Sequence, residues 1–169
     1  MKFVENYKIE DIKMWEDNPR KNDEAVDKLI PLLKKYGMIN PVIIDQHGIL
    51  RAGHTRIKAL KKMGRKTVPT LIVDFKDEAH AIGYSIADNK STEWAQWDFR
   101  GLKEIIEGLE SIDFDLEMTG FDKNEIDKIM IYGKMYEDED DEEHLLKNYE
   151  EPEDSEESKK VCPYCGRPL

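Results

Sequence analysis

Cysteine is almost missing from this chain of 169 residues: there are two, Cys162 and Cys165, both near the C-terminus. A disulfide framework is thereby excluded, and the fold has to rest on burial. Apolar residues are sparse at 39%, and no run of them approaches the length that crosses a bilayer. The first residues lack the basic-then-apolar pattern of a secretory leader, so the sequence predicts a cytoplasmic protein. No internal repeat is present. Positive charge is also short, with a net of −11, and the deficit is uneven. Residues 1–132 hold 21 Lys/Arg against 24 Asp/Glu, whereas residues 133–160 hold 4 against 13. The acidity belongs to a tail. Two stretches of it, Glu137 to Glu143 and Glu150 to Glu157, are too charged to fold alone and read as a solvated linker.

What is present follows from periodicity. Tyr7, Ile9 and Ile12 mark an edge strand. Val26, Leu29, Ile30, Leu33 and Tyr36 fall at helical steps after a cap at Asn22 or Asp23, with Pro31 expected to kink or re-register the helix. Strands are predicted at 41–45 and 68–73. Helices are predicted through Ala79, Ile82 and Ile86, through Leu102, Ile105, Ile106 and Leu109, and through Ile126, Ile129 and Met130, the last capped by Asp122. This is an α+β domain with a small mixed sheet flanked by helices and followed by a short helical extension. Trp94 and Trp97 are expected to pack the second helical layer.

Ile49 to Leu60 is the most informative stretch. It reads as a strand end, a glycine turn and the start of a basic helix. Gly53 permits positive φ and close approach, and the amides of His54, Thr55 and Arg56 are unpaired at the helix start. Arg56 adds a planar fork of donors, making a site suited to a phosphate. Arg51 to Lys66 contains seven Lys/Arg and no acid, which is either a solvated helix face or a phosphate or nucleic-acid surface.

Gly53-His54-Thr55-Arg56-Ile57-Lys58-Ala59 resembles the glycine-acid-arginine-arginine-x-x-alanine box of the ParB N-terminal domain, in the ParB/sulfiredoxin superfamily. Around it, in matching order, stand Asn18-Pro19-Arg20, Tyr36 to Ile44, Val68 to Val73 and Ala87-Asp88-Asn89-Lys90. The ordered set is far more specific than one box. Trp97-Asp98 and Thr119-Gly120-Phe121 extend the likeness toward Met130 and resemble the versions found in phages and beside DNA methyltransferases. There are departures. His54 and Thr55 replace the box's acid and first arginine, Asp88 replaces a glutamate, and Ser91-Thr92-Glu93 follows Lys90. In sulfiredoxins a catalytic cysteine stands where this chain has Gly53, so sulfinic-acid reduction is not expected.

The resemblance implies a nucleotide site for CTP or ATP. Arg20, Gly53, His54, Thr55 and Arg56 would contact it, Asn89 would hold Mg, and Asp88 would orient water if the nucleotide is hydrolysed. Read without the family, Asp88-Asn89 simply ends a helix, His54 fills a turn position and Arg20 makes a surface ion pair. At the C-terminus, Cys162-Pro163-Tyr164-Cys165-Gly166 has the form of a zinc knuckle. Structural zinc takes four ligands, so Cys162 and Cys165 would share Zn across a homodimer or with a partner, or hold none.

These readings divide the chain into a ParB/sulfiredoxin-like domain (1–97), a helical extension (98–133), an acidic linker (134–160) and a Cys-x-x-Cys tail (161–169). The helices over 99–132 are short, acidic and lack a basic recognition face, so sequence-specific DNA reading by this chain alone is not expected. Cys162-Pro163-Tyr164 is not a methylase catalytic loop, which would place any DNA methyltransferase on a separate chain. Three functions stay open. The first is a nucleotide- and Mg-binding module, phage or mobile-element encoded, acting in DNA modification, replication, partition or regulation. The second is an enzyme, either a nucleoside triphosphatase or nuclease, or a small-molecule phosphotransferase. The third is an adaptor with a vestigial pocket.

Overall fold

The computed structural model describes residues 1–20 and 23–146. Strand β1 (Lys2–Lys8) and a single 3-10 turn (Ile9–Asp11) precede helix α1 (Asp23–Tyr36). Then come β2 (Val42–Asp45), β3 (Leu50–Ala52), α2 (His54–Lys62), β4 (Thr67–Val73) and α3 (Glu78–Ser91). Helix α4 (Phe99–Glu110), a 3-10 turn (Leu116–Thr119) and α5 (Lys123–Leu146) complete the described chain. The proposed cap Asn22, the second acidic stretch and both cysteines lie outside the described residues.

The sheet is mixed, in the order β1-β4-β2-β3, with β2 parallel to β4 and the other neighbours antiparallel. Pro69 sits inside β4 and cannot donate to a ladder. β1 accommodates it with a bulge: Val4 pairs with Thr70 and Tyr7 with Val68, so Glu5 and Asn6 together stand opposite Pro69. The apolar set of β2 and β4 meets α1 and α2 in one core built on Val42, Ile44, Leu50, Ile57, Leu60 and Val68. A second, smaller core joins α4 and α5 through Leu102, Ile106 and Ile129. Tyr36 ties the two parts together, its hydroxyl donating to the Met118 carbonyl at 3.0 Å.

Several sequence expectations need correction. α1 runs without interruption through Pro31. Pro31 and Asp27 are both exposed, so the carbonyl that loses its donor lies on the solvent side of the helix. Trp94 and Trp97 do not pack a layer: they are 70% and 62% exposed, with Trp97 set edge-to-face on Phe121 at 5.4 Å between ring centroids. α3 continues past Asp88 and Asn89 to Ser91, so that pair does not end the helix. The expected cap of α5 is present as a reciprocal pair, the Glu125 amide on Asp122 at 3.0 Å and the Asp122 amide on Glu125 at 2.7 Å. α5 then continues to Leu146, through the first acidic stretch that composition alone marks as linker.

Candidate functional site

Gly53 opens α2 at φ 98° with no side-chain cap, and the first amide bonded within the helix is that of Ile57, donating to the Gly53 carbonyl at 3.0 Å. The three preceding amides are therefore left facing outward. A Cβ at position 53 would lie 2.8 Å from Val42 Cγ1 and 3.2 Å from Arg56 Nε. Glycine is required twice over, for its backbone angle and for the space that lets Arg56 fold back across the turn. Arg56 Nη1 donates to the carbonyls of Asn40 and Pro41, both at 2.8 Å. Nε and Nη2 remain as donors beside the open amides. Burial lowers the Arg56 pKa, opposed by Asp88 and Tyr84, and the guanidinium stays cationic at neutral pH.

The other wall comes from α3 and the segment before α1. Arg20 Nη1 donates to Asn89 Oδ1 at 3.0 Å and to the Asn89 carbonyl at 3.2 Å. Asn89 Nδ2 donates to the Ser85 carbonyl one turn back, which fixes the amide with its oxygen toward Arg20. Asp88 accepts from the Tyr84 hydroxyl at 3.4 Å. Between these walls lies a cleft of about 590 Å³ lined by Arg20, Gly53, His54, Thr55, Arg56, Asp88 and Asn89. All seven residues that the sequence nominated for nucleotide, metal or catalysis in the domain thus meet at one place.

His54 is 9% exposed, and its Nε2 has no hydrogen-bond partner among the described residues. Burial, with a smaller contribution from Lys58, holds its pKa below the usual histidine value, so the ring is neutral at pH 7.

Arg51 departs from expectation. Counted in the sequence as part of a basic surface, it is 1% exposed and bridges two elements. Its Nη2 donates to Asp45 Oδ2 on β2 and to Glu78 Oε2 at the start of α3, both at 2.6 Å. The Trp15 ring lies 6.0 Å from its guanidinium carbon, and Nη1 has no partner among the described residues. Lys58 and Lys62 pair with Asp23 and Asp27 of α1. Four of the seven cations of the basic run are thus engaged within the described chain, two of them in surface ion pairs. Tyr84 went unnoticed in the sequence, although its place four residues before Asp88 on a helix is the signal that finds it.

The family model for the ParB N-terminal domain matches residues 1–89. The chain belongs to that family. A second model, the ParB-methyltransferase HTH domain, matches residues 101–160. The acidic composition of that segment gave no sign of this likeness in the sequence. A helix-turn-helix is set by helix order and the core between its helices rather than by net charge, and within the matched segment α4 and α5 pack around Leu102, Ile106 and Ile129.

Among curated relatives, a protein of Acidianus two-tailed virus, ORF326b, is 40% identical over 65 residues, 32% of this chain and 20% of that protein. YnaK of Escherichia coli, described as ParB-like nuclease domain-containing, is 30% identical over 66 residues, 38% of this chain and 76% of that one. The chain thus spans only about a fifth of the viral relative's length. The fold is that of the chromosome-partitioning protein ParB from Caulobacter crescentus, C-terminally truncated and crystallised with CTP-γ-S. The match has a TM-score of 0.62 at 19% identity and covers 77% of each chain.

Proposed function

We propose that the cleft binds a nucleoside triphosphate, CTP in the first instance, and that the chain acts in DNA transactions. The observation that carries this is the convergence of the Gly53–Arg56 turn, Arg20, Asp88 and Asn89 on one cleft. Open amides and a guanidinium edge suit phosphate oxygens. The CTP-γ-S carried by the Caulobacter ParB of the same fold makes CTP the nucleotide to try first. A DNA methyltransferase on a separate chain is the natural partner, given the helix-turn-helix type matched over 101–160.

The residues fit a Mg ion shared with the ligand. Asp88 and Asn89 supply hard oxygens at the cleft, and Mg commonly takes few protein ligands and completes its shell with phosphate and water. No group of three or more His, Cys, Asp or Glu able to hold a metal exists among the described residues, so the chain provides only part of a shell. Arg20, now bonded to Asn89 Oδ1, would move to the phosphates as that oxygen meets the ion.

Calorimetric titration of CTP, ATP and GTP with Mg into the wild-type chain and Arg56→Ala tests the proposal. Saturable binding of one nucleotide, lost in the variant, supports it; no heat with any of them favours an adaptor with a vestigial pocket. A hydrolytic role has one observation behind it, the Asp88 carboxylate facing the same cleft as Arg56. Asp88→Asn should then keep binding and lose turnover.

A further inference from the structure

Four of the seven cations between Arg51 and Lys66 are engaged: Arg51 with Asp45 and Glu78, Arg56 with two carbonyls, Lys58 with Asp23 and Lys62 with Asp27. The other three are Lys61, Arg65 and Lys66. They are exposed, and their side chains form no ion pair or hydrogen bond among the described residues. Together with Lys8 they line one open concavity of about 440 Å³ at the C-terminal end of α2. Glu10, paired with Lys8 at 3.5 Å, is the one acid on its rim.

The turn after α2 builds this cluster. The Gly64 amide donates to the Lys61 carbonyl and the Arg65 amide to the Leu60 carbonyl, both at 3.0 Å, with Gly64 at φ 73°. That left-handed helix stop reverses the chain and sets Arg65 and Lys66 beside Lys61. The Ile9 amide, donating to the Lys66 carbonyl at 2.9 Å, brings in the end of β1 and with it Lys8. Charge at a helix C-terminus accounts for a lysine in the last turn. It does not account for Arg65 and Lys66, which lie beyond the helix.

We infer that the Lys8, Lys61, Arg65 and Lys66 concavity is a second contact for DNA, gripping the phosphodiester backbone at the opposite end of α2 from the nucleotide cleft. The surface is open, and its cations come from a helix end, a loop and a strand end. That spacing suits the repeating charge of a duplex better than one compact anion. An acidic protein surface would meet the same charge, but the helix-turn-helix family match over 101–160 favours DNA. At about 1.5 Å per residue, the nine residues of α2 separate cleft and patch by roughly 14 Å. The inference rests on the DNA reading of the proposed function but not on nucleotide binding.

The test is fluorescence anisotropy of the full chain on a short random-sequence duplex across about 50 to 200 mM salt. The wild type is compared with the triple variant Lys61→Gln, Arg65→Gln, Lys66→Gln, and with Lys58→Gln, Lys62→Gln as a control that removes two cations of the same helix outside the patch. The triple variant should bind at least about tenfold more weakly at low salt, and its log K against log salt should be shallower by about 2 to 3. The control should differ little from wild type. Equal slopes for triple variant and wild type would overturn the patch while leaving the DNA reading standing. No duplex binding by the wild type at the lowest salt would overturn both, and the separate nucleotide titration would still report on the cleft.

Discussion

Arg20 Nη1 reaches Asn89 Oδ1 at 3.0 Å across 69 positions of sequence, closing one side of the cleft with a solvent-exposed contact between an exposed arginine and a half-buried asparagine. Exposed pairs add little to stability, so its value lies in orienting groups for a ligand. Arg20→Ala should change the unfolding free energy by less than about 1 kcal/mol. Triphosphate affinity should fall about tenfold or more, the scale of one charge-assisted hydrogen bond. Calorimetry paired with urea unfolding separates the two effects.

Gly53→Ala should be costly although it adds only a methyl group. Its methyl would meet Val42 Cγ1 at 2.8 Å, on a backbone held at φ 98°. The left-handed angle and the overpacked contact together predict a loss of about 2 to 4 kcal/mol, read as a lower urea midpoint.

Asp45 sets the acid limit of the fold. Burial alone would raise its carboxyl, but the Ile49 amide, Arg51 and the His47 amide outweigh it and hold the pKa below the usual carboxylate value. A depressed carboxylate contributes stability that is complete above its unfolded pKa and disappears as pH falls through the folded one. Urea midpoints should therefore drop below about pH 4, and Asp45→Asn should flatten that drop. Arg51→Met should cost about 3 to 5 kcal/mol at neutral pH by stranding a buried charge. Glu78→Gln should cost far less, its side chain being 57% exposed.

His54 predicts a second pH effect, in a higher window. Its folded pKa lies below the unfolded value near 6.5, so the unfolded chain takes up the proton first as pH falls. Thermal stability should begin to decline below about pH 6.5, and His54→Gln should be flat between pH 7.5 and 5.5. An unchanged pH profile in the variant would remove His54 as the source.

The glycine turn was legible in the sequence because its chemistry is local: Gly53, three amides and Arg56 lie within four positions. The opposite wall was legible only through the order of family motifs, since nothing near Arg20 announces Asn89. Arg51 was misread because composition treats every arginine as surface charge, and only the fold brings Asp45 and Glu78 to it. Charge was a poor guide again over 99–132, where an acidic composition gave no hint of the helix-turn-helix family likeness over 101–160. Pro31 and the two tryptophans show the same limit from the other side. Residue type alone does not say which face of a helix or loop meets water.

The bulge opposite Pro69 has a consequence for assembly. The sheet ends on one side in β3, three residues long, and on the other in β1, kinked at Glu5–Asn6 and flanked by exposed Lys2 and Lys8. Neither border offers a long, flat row of free amides and carbonyls to template another strand. Strand addition and amyloid-like stacking are disfavoured at both borders, and association with other molecules is left to side-chain surfaces.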